Sequence, residues 1–191
     1  MTRPDLSFAA HNVAKFSDNP GPAQWKTVMK VMQYLRLISD CGIVYGGKFR
    51  NDTKLPAWID ADHATCLDTR RSVSGEAFML VGGAISRFFW AQKLTAAATS
   101  KSKYIALGEA NNELRFLRQE KYFIEPPTDA GIPLHKNNQG AITMANSFSS
   151  RRTRHIDVKH HVVRDVVDSG IIRVKYVKSG EQHADILSKA L

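Results

Sequence analysis

The sequence predicts an α/β fold, a mixed five-stranded sheet with helices on both faces, preceded by a short N-terminal helical segment. Three short strand patterns follow one another after residue 56, a long helical pattern comes next, and the remainder alternates between helix and strand patterns. Three strands in series are most simply antiparallel, and the crossover after them begins a parallel part. The predicted order from residue 56 is βββαβααβα.

The first 55 residues differ in character from the rest. Apolar residues recur at helical spacing after two prolines and predict an amphipathic helix over 23–38, with the stripe Trp25, Val28, Met29, Met32 and Leu35. An aromatic and methionine stripe at this spacing is interpreted as packing surface rather than a ligand site. A linker from Gly46 to Pro56 then predicts a domain boundary, with one unit over 1–55 and a second over 56–191.

The three consecutive strands are predicted at 57–62, 74–82 and 84–92, with Gly82-Gly83 in the turn between the last two. A long helix is predicted over 99–120. Its apolar positions recur every three or four residues and share one face: Tyr104, Leu107, Ala110, Leu114 and Leu117. This helix is expected to cross the sheet.

The C-terminal third completes the pattern. A strand is predicted near 132–136, a helix near 138–147, a basic connection at 151–155, a helix near 157–168, a strand at 171–177 and a final helix at 181–190.

Composition narrows the class of protein. A chain of 191 residues with 43% hydrophobic content can bury one core, and 27 basic against 18 acidic residues give a net charge of +9. That balance favours a polyanionic partner, although a solvated cationic face is an alternative. Cys41 and Cys66 fit neither a zinc site nor a disulfide framework and are interpreted as structural thiols. Without a long apolar run or a secretory region, we expect no membrane partner and an intracellular protein, cytoplasmic or nuclear and not secreted.

Two segments carry a family resemblance. Residues 59–75 read IDADHATCLDTRRSVSG, a strand with carboxylates that turns into a basic loop, and residues 180–189 read GEQHADILSK. Both resemble the ribonuclease H domain of Ty1/copia retrotransposon Pol polyproteins, which belong to transposable elements. Residues 3–36 resemble the C-terminal end of the reverse transcriptase that precedes it. The polymerase's own acidic motif is absent, which excludes polymerisation.

The resemblance implies a ribonuclease H-like fold and, in intact relatives, cleavage of the RNA strand of RNA:DNA hybrids with Mg²⁺ or Mn²⁺ held by four acids. Asp60 and Asp185 match the first and last acid of the family pattern. The second acid lies in a family segment Ser-Thr-Glu-Ala-Glu-Tyr, where this chain reads Thr-Ser-Lys-Ser-Lys-Tyr and has Lys103. The third lies in Asp-Asn-Gln-Gly-Ala, where this chain has Asn137.

These two replacements change the electrostatics of the expected site. Its formal charge goes from −4 to −1, and an ammonium about 4 Å from a divalent ion is repelled by roughly 8 kcal/mol at an effective dielectric near 20. We therefore expect metal binding by Asp60 and Asp185 to be weak or lost. Glu109, six residues beyond Lys103 on the helix, should point away from the site. Asp62 starts from the wrong element to replace both lost ligands.

Clustered cations are candidates for nucleic-acid contact. Arg151, Arg152, Arg154 and His155 fall in RRTRHID, which resembles a family segment just before a helix, and guanidinium groups suit phosphate. Arg70, Arg71 and Lys93 extend this set. A solvated basic loop is the competing interpretation. The adjacent His160 and His161 cannot share one ion on a helix, and a catalytic role for His183 would be vestigial here.

The leading hypothesis is a degenerate ribonuclease H domain that binds RNA:DNA hybrid or duplex nucleic acid with little or no hydrolysis. Its other expected partner is the reverse transcriptase portion of the polyprotein. One rival is an active, metal-dependent endonuclease specific for hybrids. Another is a host-recruited interaction protein with no role in nucleic-acid binding.

Overall fold

The computed structural model describes residues 3–49, 54–66, 68–93, 95–124, 131–146 and 161–188. Its helices are α1 (Ser7–Ala14), α2 (Pro22–Leu37), α3 (Thr99–Ile124), α4 (Gln139–Asn146), α5 (Val162–Asp168) and α6 (Asp185–Ser188). Its strands are β1 (Ala57–Ala61), β2 (Val73–Leu80), β3 (Gly83–Ala91), β4 (Ile132–Lys136) and β5 (Ile172–Tyr176).

The five strands form one mixed sheet in the order β3-β2-β1-β4-β5. Strand β2 pairs antiparallel with β1 and with β3, whereas β4 pairs parallel with β1 and with β5. The tight turn between β2 and β3 places Val81 and Gly82 at positive φ, 51° and 80°. The predicted α/β class, with a mixed five-stranded sheet, is therefore confirmed.

The core forms where α3 crosses the sheet over β1. Ile59 and Phe78 from the sheet meet Tyr104, Leu107 and Leu114 from α3, and each is at most 1% exposed. Burying a side chain of this size stabilises the fold by roughly 1.5–3 kcal/mol. This packing places the N-terminal turn of α3 beside the end of β1.

The opposite face of the sheet carries α6, and Gly75 sets how closely it approaches. Gly75 is the cross-strand partner of Asp60, and a Cβ atom at this position would lie 3.0 Å from Leu187 Cβ and 3.2 Å from the Ala184 carbonyl oxygen. The absence of a side chain at Gly75 thus lets α6 sit directly over Asp60.

Replacing Gly75 by valine should therefore push α6 away from the sheet. We expect a loss of about 1–3 kcal/mol in the free energy of unfolding, the usual cost of overpacking, measured by urea denaturation. Gly180→Ala is the matched control, because a Cβ atom there meets nothing within 4 Å. Equal stability of Gly75→Val and the parent would contradict close packing of α6.

The N-terminal region holds one helix that the sequence did not predict and corrects one expectation. Helix α1 packs against α6, and His11 on α1 contacts the Phe89 ring of β3 at 4.9 Å between centroids. The predicted helix over 23–38 is present as α2. Its stripe was expected to pack, but Trp25, Met29 and Met32 are 64%, 45% and 58% exposed. The expectation of packing therefore fails for these three residues, whereas Val28 and Leu35 of the same stripe are half-buried.

The C-terminal helices are shorter than predicted. The final helix, expected over 181–190, begins only at Asp185, because Gln182 is extended and a 3-10 turn at Ser179–Glu181 precedes it. The helix expected over 157–168 is described from Val162, and 157–160 lie outside the described residues. No helix in the described part of the chain has the length and apolarity needed to cross a membrane.

Candidate functional site

The candidate site lies around Asp60 near the end of β1. The Asp60 side chain is fully buried. The Lys103 ammonium, from the first turns of α3, donates hydrogen bonds to Asp60 Oδ1 and to Asn137 Oδ1, the latter at 2.8 Å. Three residues that the sequence placed in one site therefore meet through Lys103.

A second buried cation, Lys136, was missed by the sequence reasoning. Its side chain is fully buried, its Nζ donates to the Ile59 carbonyl oxygen at 2.7 Å, and the same atom lies 3.7 Å from Asp60 Oδ1. The signal that could have found it is alternation in β4, where residues 132, 134 and 136 share the buried face. A lysine on that face needs an acidic partner.

Burial and charge act in opposite directions on these groups. Burial alone would raise the pKa of Asp60, but the Lys136 and Lys103 cations and a hydrogen bond with Asp185 outweigh it and lower the pKa. Burial lowers the pKa of Lys136 to about 7, although Asp60 partly opposes this change and Lys103 adds to it. Lys136 thus titrates near neutral pH, whereas Asp60 stays ionised.

Asp185 reaches the site from the first position of α6. Just before this helix, the Gln182 side chain donates to the carbonyl oxygens of Ile59 and His135, each at 3.3 Å, and fixes the incoming chain to β1 and β4. Asp185 is half-buried and hydrogen bonds with Asp60. Both acids that match the family pattern are therefore adjacent.

The donor set does not fit a pair of divalent cations. Hard cations such as Mg²⁺ prefer several anionic oxygens, and this site offers two carboxylates and one amide oxygen together with two ammonium groups. Its formal charge is zero when both lysines are protonated, against the −1 expected without Lys136. Among the described residues, no group of three or more His, Cys, Asp and Glu side chains is arranged to hold a metal ion.

The two acids considered as substitutes are engaged in other hydrogen bonds. Glu109 accepts hydrogen bonds from Ser74 and Trp90. Asp62 accepts from the Val73 amide and from Thr65, so it closes the loop between β1 and β2. Burial raises the pKa of Asp62 despite those bonds.

An aromatic stack lies two residues before Asp60. Trp58 stacks with His135 at 4.7 Å and with His183 at 4.5 Å between ring centroids, with interplanar angles of 20° and 6°. Burial lowers the pKa of His135, and Lys175 and His183 add to the effect. His183, for which the sequence predicts only a vestigial catalytic role, thus packs on Trp58. His161, at the start of α5, shares a 3.0 Å hydrogen bond with the Tyr104 hydroxyl.

Some of the predicted basic residues lie at the same end of the sheet as the site. Ser72 O accepts from the Gln92 amide at 2.8 Å, which continues the β2–β3 pairing beyond the strands to the residues next to Arg71 and Lys93. Arg70, Arg71 and Lys93 are all exposed. Arg151, Arg152, Arg154 and His155 lie outside the described residues. Neither Cys41 nor Cys66 forms a disulfide.

Comparisons with known proteins find similar sequences and a similar fold. The chain is 35% identical over 200 residues to the "Retrovirus-related Pol polyprotein from transposon TNT 1-94" of Nicotiana tabacum, a match that covers 100% of this chain and 14% of that protein. It is 30% identical over 198 residues to the corresponding polyprotein from transposon RE2 of Arabidopsis thaliana, again over 100% of this chain and 13% of that protein. The chain thus spans about a seventh of these relatives. No family model matches.

Solved structures show the same fold. LC11-RNase H1, isolated from compost by a metagenomic approach, matches with a TM-score of 0.52 at 12% identity, covering 71% of this chain and 92% of that one. Its crystal structure in complex with an RNA/DNA hybrid matches with a TM-score of 0.50 at 12% identity, over 70% and 93%. At this identity the likeness concerns the fold alone.

Proposed function

Because this chain belongs to the copia-type Pol polyprotein family and has a ribonuclease H-like fold, we propose that it binds RNA:DNA hybrid or duplex nucleic acid with little or no hydrolysis. The observation that carries the proposal is the Lys103 ammonium, hydrogen-bonded to both Asp60 and Asn137. The Lys103 ammonium thus lies between the two residues that match the first and third positions of the family pattern.

The electrostatic argument for weak metal binding has two parts. Lys103 and Asn137 stand where the family has acids, which removes two anionic ligands. Lys136 then adds a second cation 3.7 Å from Asp60. A divalent ion entering the site would have to displace Lys103 from Asp60, and each ammonium about 4 Å away would repel it by roughly 8 kcal/mol at an effective dielectric near 20. Any Mg²⁺ or Mn²⁺ bound here is therefore expected to bind weakly.

The net charge of +9 and the exposed cations at the site end of the sheet support the binding part of the proposal. Arg70 and Arg71 project from the loop that follows β1, and Lys93 follows β3. Phosphate contacts of this kind release counterions, so binding should weaken steeply with salt. The proposed second partner is the reverse transcriptase portion of the polyprotein, which suits the exposed apolar stripe of α2.

Binding is tested by fluorescence anisotropy with a labelled RNA:DNA hybrid over a series of salt concentrations. We expect Arg70→Ala/Arg71→Ala to weaken binding about tenfold at low salt and to reduce the slope of log K against log [salt] by about one to two, since up to two phosphate contacts are lost. Lys30→Ala, an exposed cation on α2, is the matched control and should bind like the parent.

Two results would overturn the proposal. Salt-insensitive or undetectable binding by the parent would favour an interaction protein without a nucleic-acid role. Cleavage of the hybrid by the parent in Mg²⁺ or Mn²⁺, abolished by Asp185→Asn, would instead make it an active endonuclease.

A further inference from the structure

A groove with a volume of about 620 Å³ lies between α3 and the β2–β3 hairpin. Neither Asp60 nor Asp185 lines it, so it is separate from the site described above. Three carboxylates and two aromatic rings do line it: Glu76 on β2, Phe88 and Trp90 on β3, and Glu109 and Glu113 on α3.

Two of the three carboxylates are already hydrogen-bonded. Glu109 Oε2 accepts from Trp90 Nε1 at 2.6 Å and from Ser74 Oγ at 3.2 Å, and Glu113 Oε1 accepts from Ser86 Oγ at 2.5 Å. Glu76 differs from them. It is 2% exposed, and no described residue donates a hydrogen bond to its Oε2.

Asn111 repeats this pattern from the helix side of the groove. It is 6% exposed, and its Oδ1 likewise accepts no hydrogen bond from a described residue. A buried acceptor without a donor costs about 1–3 kcal/mol. Glu76 and Asn111 line the same groove, so a ligand with several hydrogen-bond donors would satisfy both acceptors.

The surroundings select an organic cation over a metal ion. The described carboxylates are not grouped closely enough to hold a metal. Trp90 and Phe88 lie 6.4 Å apart between ring centroids at 69°, and aromatic faces attract ammonium groups. Lys93 and Arg115 also line the groove, which leaves its formal charge at −1 and suits a single cationic end.

We propose that this groove binds the primary ammonium end of a small aliphatic amine, with Glu76 Oε2 and Asn111 Oδ1 accepting its N–H groups beside Trp90. The proposal does not depend on the function proposed for the Asp60 site.

The protonation of Glu76 should make ligand affinity depend on pH. Burial raises the pKa of Glu76 well above its usual value, with Glu109 and Glu113 adding to the shift and Lys136 opposing it. Glu76 therefore holds a proton more readily when the groove contains no cation, and the ammonium displaces that proton on binding. Because deprotonation of Glu76 favours the bound ammonium, affinity should rise with pH.

The test is isothermal titration of the full chain with 1,4-diaminobutane at pH 6 and pH 8, in two buffers that differ in ionisation enthalpy. We expect one-to-one binding that is at least several-fold tighter at pH 8 and that releases protons. Glu76→Gln should weaken it at least tenfold and abolish the pH dependence, and Glu113→Gln should weaken it several-fold. Glu120→Gln, exposed on the same helix, is the matched control.

Several outcomes would overturn the proposal. These are no saturable binding by the parent, unchanged binding by Glu76→Gln, or equal heats from 1,4-butanediol, which has the same length without the charge. Mg²⁺ binding that depends on Glu76 and excludes the diamine would make the groove a metal site instead.

Discussion

Cleavage of an RNA:DNA hybrid should appear when Lys103→Glu and Asn137→Asp are combined. The double variant restores carboxylates on α3 and after β4, next to Asp60 and Asp185, and removes the ammonium that hydrogen bonds to Asp60. The formal charge of the site, counting Lys136, goes from zero to −3. Two-metal hydrolysis needs such an anionic cluster. We expect an increase in rate of roughly 100-fold or more over the parent, equivalent to about 2.7 kcal/mol.

Lys136 should limit this recovery, because its cation remains 3.7 Å from Asp60 Oδ1. Adding Lys136→Met should raise the rate further in Mg²⁺.

A second readout is independent of activity. The double variant should gain thermal stability with added Mn²⁺, about 2.7 kcal/mol at 100 times the dissociation constant, and the parent should not. Lys101→Glu is the control, since it makes the same charge change as Lys103→Glu alone, two residues earlier on α3. A folded but inactive double variant would show that more than these two positions disables the site.

The sheet was predictable because its signals are local. Strand alternation, turn residues and the helical period over 99–120 each depend on neighbouring residues, and they gave the element order and the mixed sheet. The start of the last helix does not depend on local signals. Gln182, just before it, is extended and hydrogen bonds to the carbonyl oxygens of Ile59 and His135, which are far away in sequence. Tertiary contacts decide such boundaries.

The site was predictable in part for a related reason. Asp60, Lys103, Asn137 and Asp185 were grouped by family resemblance. Lys103 hydrogen bonds to Asp60 and Asn137, and Asp60 hydrogen bonds with Asp185, while the roles assigned to these residues stay predictions. Lys136 carries no motif. Alternation in β4 could have predicted that Lys136 is buried, but its position beside Asp60 depends on the parallel pairing of β1 with β4, which no local pattern encodes. For α2, the helix was predicted correctly, but the exposure of Trp25, Met29 and Met32 was not, because periodicity predicts an apolar face and not what covers it.

The stability of the protein should depend strongly on Asp60, even without metal. Asp60 is fully buried, and it is the acid to which Lys103 hydrogen bonds and beside which Lys136 lies buried. Removing one partner of a buried ion pair typically costs 3–5 kcal/mol, because the remaining charge stays buried without compensation. We expect Asp60→Asn to lower the free energy of unfolding by about that amount at pH 6, measured by urea denaturation with a chelator present.

The pH dependence follows from Lys136, whose pKa is lowered by burial to about 7 in the folded state, against an ordinary value of 10.5. Between these values the unfolded chain holds more protons than the folded one, so the contribution of Lys136 to stability improves as pH rises above 7 and is poorest below it. Asp60 opposes the lowering, so its removal should cost most at pH 6 and distinctly less at pH 9, where Lys136 is neutral.

Lys136→Met provides the decisive comparison. It removes the buried cation and keeps the side chain's volume, and Ile59 O retains the hydrogen bond from Gln182. In the Asp60→Asn background it should recover part of the lost stability at pH 6 and remove the difference between pH 6 and pH 9. Asp168→Asn, an exposed acid at the end of α5, should change stability by about 0.5 kcal/mol or less. If Asp60→Asn proved no more destabilising than Asp168→Asn, the lysines would not need their acidic partner. The argument that the Lys103 ammonium takes the place of a metal ion beside Asp60 would then fail.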